Sequence, residues 1–440
     1  MPLHLARLMR PFEDFFKRQA AGGLVLLGTT LLALFLANSS WSEAYFHFWE
    51  NEIAFGNEEF GLAKPIHHWI NDGLMAVFFF VVGLEIKREF LAGELASAKK
   101  AALPIAGAIG GMLAPALIFY VFNPSGLQSR GWGIPMATDI AFAIGVIALL
   151  GNRITRSVAI FLTALAIVDD LGAVLVIALF YTSDLNLMAL AVSLIFLSVL
   201  IIGNRLDIQH PNFYALVGFA LWVALLKSGI HASVAGVLIG ATIPVNPRHQ
   251  HDEFLVKAEE LVRQIRDMGT ISGPFQKQEK MGSLLALEHV THDAMSPLQR
   301  MEHEMNHWVI FGVMPIFALA NAGISMNMQE LTYALSNPLT VGVALGLLVG
   351  KPVGITFAAW IAVKLGLAHL PDNTQWKEIF GIAILGGIGF TMSMFITNLA
   401  YFDEELITNA KVGIFIASLL AGIIGYVFLA SLRKRTGPTV

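Results

Sequence analysis

Apolar residues occur along this chain in long, nearly uninterrupted runs rather than at the spacing of half-buried helices or strands. From Ala20 onward we count twelve such runs, each long enough to cross about 30 Å of hydrocarbon as a helix of about 20 residues. The pattern predicts an all-α polytopic membrane protein, with residues 1–440 forming a single membrane domain. The predicted segments are 20–38, 66–86, 101–121, 131–150, 157–181, 186–202, 211–227, 229–245, 307–324, 338–363, 378–400 and 411–432.

The composition agrees with residence in a membrane. Hydrophobic residues make up 56% of the chain and charged residues only 14%, whereas a soluble domain carries about 25% charged residues. Too few polar side chains remain to cover a soluble surface. The net charge of −4 provides no basic field for nucleic acid, so we expect membrane lipid and no nucleic-acid partner. The absence of cysteine excludes disulfides, thiolate catalysis and Cys-ligated metals.

The basic residues indicate how the chain is oriented. If the N-terminus is cytoplasmic and the segments alternate, most of the 28 Lys and Arg residues fall in cytoplasmic loops, as the positive-inside rule requires. Those left outside are Lys64, Arg130, Lys227 and Lys411, and Lys351 lies within a segment. Both termini are therefore predicted to be cytoplasmic. Residues 1–18 lack the pattern of a cleavable signal peptide.

Two loops differ from the other connections. Residues 42–64 are rich in aromatic and acidic residues around a Gly-Asn pair, and we interpret them as an external hairpin-like loop. An irregular interfacial loop is the alternative. Residues 246–295 form a cytoplasmic insert between the eighth and ninth segments, in which apolar positions at helical spacing predict an amphipathic helix over 252–268. Ser296, Pro297 and Gln299 have the spacing of a helix start.

Five of the ionisable residues in the predicted segments stand out, because charges deep in a membrane are costly and usually mark a transport pathway or a proton relay. Asp139 lies in the fourth segment, Asp169 and Asp170 in the fifth, Lys351 in the tenth, and Asp72 near the outer end of the second. Asp169 and Lys351 each lie about 18–20 Å into their segments at 1.5 Å per residue, close to mid-membrane. A structural salt bridge could explain Lys351 with one aspartate but leaves the other acids unexplained. We therefore predict a functional charged cluster.

Adjacent carboxylates have a particular chemistry. Asp169 and Asp170 lie about 100° apart on a helix, so both can border one cavity. Carboxylates this close titrate as a coupled pair, and their oxygens can hold either a hard cation or protons. Competition between a cation and a proton for one site is the minimum requirement of an antiporter.

Glycine and proline interrupt two segments. They are Gly131, Gly133 and Pro135, which precede Thr138 and Asp139 in the fourth segment, and Gly386, Gly387 and Gly389 in the eleventh. Segments three to five and ten to twelve have opposite orientations, and the interruption falls in the middle of each triplet. This arrangement predicts inverted repeats with two broken helices, 4 and 11, whose free ends require compensating charge. Close helix packing is the alternative explanation of the glycines.

With these features the chain resembles the NhaA family of bacterial sodium/proton antiporters over nearly its whole length outside residues 246–295. The motifs that carry the resemblance are NDGLMAVFF (71–79), VGLEIKRE (82–89), ATDIAFA (137–143), AIVDD (166–170) and GKP (350–352). The resemblance implies that Asp169 and Asp170 bind Na+ or Li+ and protons. It also implies that Lys351 pairs with Asp169 in the empty state, and that Asp139 and Thr138 lie at the break of the fourth helix.

The resemblance further implies a bacterial inner-membrane protein that exchanges external protons for internal Na+ or Li+ with movement of net charge. No cofactor beyond the transported ions is expected. Members of the family are typically homodimers joined partly by an external hairpin, which matches residues 42–64.

The family is also activated by alkaline pH through residues at the cytoplasmic mouth. The matching residues here are Glu85, Arg88, Glu89, Glu302 and His303. Without the resemblance, an exposed salt-bridged helix end would be the simpler explanation of the first three. This chain has Asn306 where relatives often have histidine. His231 and Asp72 match family positions that we treat as secondary, and we expect the histidine-containing insert to be a solvated loop rather than a modified pH sensor.

Other functions fit less well. A retinal protein would explain a membrane lysine beside aspartates, but not twelve segments with that lysine in the tenth. An intramembrane aspartyl protease leaves Lys351 and one of the adjacent aspartates without a role. Another cation/proton exchanger or a cation channel of the same fold remains the alternative. No phosphate-binding GxxxxGK[ST] loop indicates ATP-driven transport, and no enzymatic activity is expected.

Overall fold

A computed structural model describes residues 3–55, 62–182, 185–247, 251–267, 274–325 and 328–432. Within these ranges the chain is helical apart from one two-stranded hairpin and the connecting segments, so the all-α prediction is confirmed in outline. The helices are α1 (Leu3–Ala37), α2 (Ser42–Glu50), α3 (Ile66–Trp69), α4 (Met75–Ala92), α5 (Ala98–Phe122), α6 (Ile140–Leu150), α7 (Arg156–Phe180), α8 (Leu187–Arg205), α9 (Pro211–Ser228), α10 (Ser233–Thr242), α11 (His251–Asp267), α12 (Pro274–Ala294), α13 (Pro297–Trp308), α14 (Met314–Asn321), α15 (Met328–Ser336), α16 (Pro338–Leu345), α17 (Lys351–Lys364), α18 (Trp376–Leu385), α19 (Phe390–Ala400) and α20 (Glu404–Ser431).

Shorter helical elements connect several of these helices. The 3-10 helices are Glu94–Ala96, Leu127–Met136 and Gly151–Arg153, and the π-helical turns are Ile70–Leu74, Val309–Val313 and Gly346–Gly350. The π-helical turns are continuous with their neighbours, so α3 continues into α4, α13 into α14 and α16 into α17.

Nine helical stretches of the described chain are long and apolar enough to cross a membrane, and α18 with α19 makes a tenth if the bent pair counts as one. The nine are Gln19–Ala37, Ile66–Ala92, Ala98–Phe122, Leu127–Leu150, Arg156–Phe180, Leu187–Arg205, Pro211–Ser228, Pro338–Lys364 and Glu404–Ser431. Together the ten coincide with ten of the twelve predicted segments. The protein is therefore a multi-pass membrane protein.

The two other predicted segments, 229–245 and 307–324, differ from single long apolar helices. The first contains only α10, whose ten residues extend about 15 Å, roughly half of the hydrocarbon thickness. Gly229, with φ of +89°, ends α9, and the chain is not helical again until Ser233. In the second, the helix begins earlier, at Pro297, so its first turns are polar. The count of twelve transmembrane helices therefore stays a prediction.

The region 42–64 is only partly a hairpin. Its first half is helix α2, which corrects the interpretation of the whole stretch as hairpin-like. Strands β1 (Glu52–Phe55) and β2 (Leu62–Pro65) then pair antiparallel. Residues 56–61 between the strands lie outside the described residues. The indole Nε1 of Trp69 in α3 donates at 3.1 Å to a carbonyl oxygen of each strand, which fixes the hairpin to the start of the second segment.

The insert consists largely of α11 and α12. The helix predicted over 252–268 is present as α11, and the predicted helix start is confirmed as a capping box at the beginning of α13. The Oγ of Ser296 accepts from the backbone N–H of Gln299 at 3.2 Å. One residue earlier, Leu298 donates its backbone N–H to the carbonyl oxygen of Pro244 at 3.1 Å. The chain therefore leaves the bundle and returns to it at neighbouring points.

Glycines allow two helix pairs to approach very closely. A Cβ at Gly110 in α5 would collide with the carbonyl oxygen of Gly354 in α17, and a Cβ at Gly354 would collide with that of Gly110. A Cβ at Gly83 in α4 would lie 2.8 Å from the carbonyl oxygen of Val237 in α10. Backbones in such contact are typical of membrane helix interfaces built on small residues. The first contact places Lys351, the first residue of α17, beside α5.

Candidate functional site

Two interrupted helical stretches meet at the centre of the site. The 3-10 helix Leu127–Met136 is separated from α6 by extended backbone at residues 137–139, and α18 and α19 are bent by 49° across residues 386–389. The backbone N–H of Asp139 donates to the carbonyl oxygen of Ile388 at 2.6 Å. The hydroxyl of Thr138 donates to that of Gly386 at 2.9 Å. Each interruption thus satisfies backbone groups that the other leaves without helical partners.

Asp139 lies at the N-termini of two helices. It is the N-cap of α6, where its Oδ1 accepts from the backbone N–H of Phe142 at 3.2 Å. Its Oδ2 accepts from the backbone N–H of Thr391, in the first turn of α19, at 3.0 Å, and from the hydroxyl of the same residue at 2.5 Å. Helix N-termini carry partial positive charge, so one buried carboxylate serves both. These contacts place the carboxylate of Asp139 at both helix N-termini, and its role in charge compensation stays a prediction.

Lys351 and Asp169 form an ion pair that is almost completely buried. The ammonium group of Lys351 donates to Oδ2 of Asp169, and the two side chains are 0% and 1% exposed. The π-helical turn Gly346–Gly350 directly precedes Lys351, and a Cβ at Gly111 of α5 would lie 3.7 Å from Cδ of Lys351. A buried pair of this kind holds both charges at one level of the bundle. Thus α17 is joined to α7.

Asp170 borders a cavity instead of an ion pair. The cavity has a volume of about 60 Å³ and is also lined by Thr138, Asp139 and Glu85. One oxygen of each aspartate, Oδ1 of Asp169 and Oδ1 of Asp170, is buried and accepts no hydrogen bond from any described residue. Unpaired buried carboxylate oxygens are costly unless a cation or proton satisfies them. They are therefore the atoms best suited to hold a hard cation.

No cluster of three or more His, Asp or Glu side chains in the described ranges has the arrangement of a resident metal site. The aspartate pair supplies carboxylate oxygens from two residues only. A cation held there would need additional oxygen ligands from water or neutral groups.

A second cluster of charged side chains lies between α4 and α13. Arg88 forms ion pairs with Glu89, at 3.0 Å, and with Glu302, at 2.5 Å. Burial raises the pKa of Glu302 above its ordinary value, and the neighbouring guanidinium opposes this shift. Glu85 lies one turn before Glu89 and lines the cavity described above. His303 is exposed. Of the five residues expected at the cytoplasmic mouth, the structure thus places four toward one surface, namely Glu85, Arg88, Glu89 and Glu302. His303 lies on the exposed side of α13.

The two secondary residues lie together. Asp72 forms an ion pair with Lys64 of β2 at 2.8 Å, and its Oδ1 is 3.5 Å from Nε2 of His231. The indole N–H of Trp222 in α9 donates to the backbone carbonyl of Asp72 at 3.1 Å. Asp72 therefore connects the hairpin to the region between α9 and α10 and lies apart from the aspartate pair.

Several polar residues at the site were missed by the sequence analysis. Thr391 completes the contacts of Asp139, and Gln19 lines the cavity beside Asp170. Asn321 donates to Asn71 at 2.9 Å and accepts from Asn398 at 2.6 Å, which links three separate segments. Uncharged polar residues are tolerated in membrane helices, so they are weaker signals than a charge. For Thr391, Asn321 and Asn398 the available signal was a position within an otherwise apolar run, whereas Gln19 lies just before the first run, beside Lys17 and Arg18.

Comparisons with known proteins identify the family of this chain. A sequence model of the family described as "Na+/H+ antiporter 1" matches residues 13–429. A protein of Syntrophotalea carbinolica named "Na(+)/H(+) antiporter NhaA 2" is 62% identical over 99% of this chain and 100% of its own length. Proteins named "Na(+)/H(+) antiporter NhaA" from Acidithiobacillus ferrooxidans and Syntrophobacter fumaroxidans are 48% and 47% identical, each over 98% of this chain and over 99% and 93% of their own lengths. The chain therefore belongs to the NhaA family of Na+/H+ antiporters.

Proposed function

We propose that this protein exchanges Na+, and also Li+, for external H+ at the pair Asp169 and Asp170. The observation that carries the proposal concerns the Oδ1 atoms of Asp169 and Asp170. Both oxygens are buried and have no hydrogen-bond partner within the described chain, and Asp170 borders a cavity. A cation or a proton satisfies such oxygens, but both do not occupy them together. Competition between the two ions couples the uptake of one to the release of the other.

The ion pair provides a second coupled event. A cation that reaches Asp170 from the cavity also attracts the carboxylate of Asp169. This attraction weakens the hydrogen bond that Lys351 donates to Asp169. Lys351 then releases a proton, and regains one when the cation leaves. Two proton-binding groups serving one Na+ make the exchange electrogenic, because more positive charge crosses with the protons than with the sodium.

The crossing segments support alternating access. The contacts from Asp139 to Ile388 and from Thr138 to Gly386 join the two interruptions beside the aspartate pair. We propose twelve transmembrane helices, with segments three to five and ten to twelve as inverted repeats and with broken helices 4 and 11. Movement of one repeat against the other would open the site alternately to each side of the membrane.

Regulation and assembly belong to the same proposal. The buried Glu302 beside Arg88 supports activation at alkaline pH, with Glu85, Glu89 and His303 in the same region. Exposed apolar side chains near the hairpin, such as Phe48 and Ile53, support a homodimer joined through the external region 42–64. Both termini and the insert 246–295 would then be cytoplasmic, in a bacterial inner membrane.

Reconstitution into proteoliposomes with an acidic interior tests the exchange. Addition of external Na+ or Li+ should collapse the pH gradient, with saturation at millimolar or lower concentration and without passage of ions in the absence of a counter-ion. The variant Asp170→Asn should abolish the response, because a neutral amide cannot exchange a proton for a cation. The exposed acid variant Asp372→Asn serves as the control and should behave as the parent protein. Retained exchange in Asp170→Asn would overturn the proposal, and unsaturable flux without exchange would indicate a channel.

A further inference from the structure

The cavity beside Asp170 contains an unpaired oxygen that does not belong to a carboxylate. Gln19 in α1 is 6% exposed, and its Oε1 is buried and accepts no hydrogen bond from any residue that the structure describes. The side chain lines the same cavity as Asp170 and Glu85. A buried amide oxygen without a donor costs free energy, so this oxygen requires a partner from the cavity itself.

Small residues of α1 bring Gln19 to this position. Gly22 and Gly23 follow at i+3 and i+4 and therefore lie on the same helix face as Gln19. A Cβ at Gly22 would collide with the side chain of Ile310, which also lines the cavity, and a Cβ at Gly23 would lie 3.5 Å from the carbonyl oxygen of Ala141 in α6. The first helix is thus held against both α6 and the π-helical turn Val309–Val313 one turn away from Gln19.

Both acidic and neutral polar side chains line the cavity. The acidic ones include Glu85 and Asp170, and the neutral ones include Gln19 and Asn306. Its volume of about 60 Å³ accommodates a few water molecules, since one water needs about 10–15 Å³ of such volume. An ion passing through it keeps only part of its hydration shell and needs protein oxygens to replace the rest.

We propose that Gln19 is a further cation-binding residue, whose Oε1 coordinates a partly dehydrated Na+ or Li+ in the cavity before the ion reaches Asp170. This inference rests on the proposed function. A neutral amide oxygen suits such a step, because it binds the ion without the strong attraction of a second carboxylate and so allows the ion to move on. Gln19 thereby lowers the cost of dehydrating the ion without taking part in proton exchange.

The test compares the Na+ dependence of exchange in proteoliposomes for Gln19→Met and Gln19→Glu. Methionine has a similar volume but no oxygen ligand, so Gln19→Met should raise the KM for Na+ about tenfold, equivalent to about 1.4 kcal/mol, with maximal rate within about twofold. Gln19→Glu keeps an oxygen at this place, so its KM should equal or fall below that of the parent protein. If Gln19→Met accumulates poorly, Gln19→Asn, whose oxygen is withdrawn by one methylene, must show the same rise.

A buried polar residue elsewhere in α1 provides the matched control. Thr30 is 4% exposed, and its hydroxyl donates to the carbonyl oxygen of Leu26, one turn earlier in the same helix, at 2.7 Å. The variant Thr30→Val should leave the KM for Na+ unchanged. An unaltered KM in Gln19→Met, or an equal rise in Gln19→Met and Gln19→Glu, would overturn the inference, since the side chain would then serve packing alone. If the parent protein exchanges no ions, the proposed function itself fails, so the two failures are distinguishable.

Discussion

Among single residues, the buried pair of Lys351 and Asp169 has the largest electrostatic consequence. Both charges are almost fully removed from solvent, and each is acceptable in that place because of the other. Asp139 differs, because its carboxylate is held by backbone and hydroxyl donors at two helix ends and needs no cation. The three carboxylates of the centre therefore have three distinct environments: an ion pair, a double helix cap and a cavity wall.

Removal of one partner of the ion pair should be more harmful to stability than removal of both charges. The variant Lys351→Met leaves the carboxylate of Asp169 buried without its partner, and such changes cost about 3–5 kcal/mol. Thermal unfolding of the protein purified in detergent should show a large fall in Tm for Lys351→Met and a partial recovery in Lys351→Met/Asp169→Asn. Equal Tm values for the single and double variants would contradict this expectation, because the unpaired carboxylate of Asp169 would then not be the cause of the loss.

Glu302 should control how exchange depends on pH. Because burial raises the pKa of Glu302, its carboxyl is protonated at acid pH and ionises beside Arg88 as the pH rises. The variant Glu302→Gln cannot ionise, so we expect its exchange rate to change less steeply with pH than that of the parent protein. Glu94→Gln, which alters a more exposed acid paired with Lys100, is the control. A parent-like profile in Glu302→Gln would exclude this residue from the response.

The charged residues of the site were predictable from the sequence, and their uncharged partners were not. Asp139, Asp169, Asp170 and Lys351 interrupt apolar runs, where the cost of a charge makes a functional reason necessary. Thr391 and Gln19 belong to residue types that occur in membrane helices for many reasons. Their importance depends on which atoms of other segments they approach, and a single segment carries no such information.

At the scale of elements, close contact between helices determines where Lys351 lies. The contact between Gly110 of α5 and Gly354 of α17 brings two backbones together three residues after Lys351. The sequence predicted the interruptions near Asp139 and at residues 386–389 from glycine and proline. It did not predict that one flank is a 3-10 helix, nor that α10 is only ten residues long. Such details depend on hydrogen bonds between segments, for example that from Asp139 to Ile388.

A larger side chain at this contact should move α17 away from α5. The variant Gly110→Val places methyl groups against the backbone of Gly354 and the Cβ of Ala358, and overpacking of this kind costs about 1–3 kcal/mol. We expect a lower Tm and loss of most exchange activity in proteoliposomes, because Lys351 shifts with its helix. Gly28→Val is the matched control, since a Cβ at Gly28 meets no atom within 4 Å. Full activity in Gly110→Val would show that the contact does not position the lysine.

At the scale of the whole molecule, the insert joins the rest of the chain at two neighbouring points. The orientation of the segments rests on a simple count of basic residues and stays a prediction. The arrangement of the insert was not predictable, since amphipathic periodicity identifies a surface helix without indicating what the helix lies against. In the structure the insert leaves after Pro244 and the chain returns at Leu298, whose N–H bonds the carbonyl oxygen of Pro244.

Replacement of residues 249–294 by a short Gly-Ser linker should therefore preserve the bundle. The hydrogen bond between Leu298 and Pro244 and the capping box of α13 lie outside the deleted stretch. We expect the shortened protein to exchange Na+ for H+ with a KM within about twofold of the parent value. The comparison is made in proteoliposomes over a range of pH. A changed KM or a displaced pH profile would assign the insert a part in transport.

The proximity of Pro244 to Leu298 has a practical consequence for how the chain can be divided. The first eight predicted segments and the last four are joined covalently only through the insert, while the pairs Lys351–Asp169 and Arg88–Glu302 connect them across the bundle. A cut within the insert would leave both of these attractions in place. The molecule is thus suited to expression as two complementing polypeptides, or to carrying a fluorescent reporter domain between them.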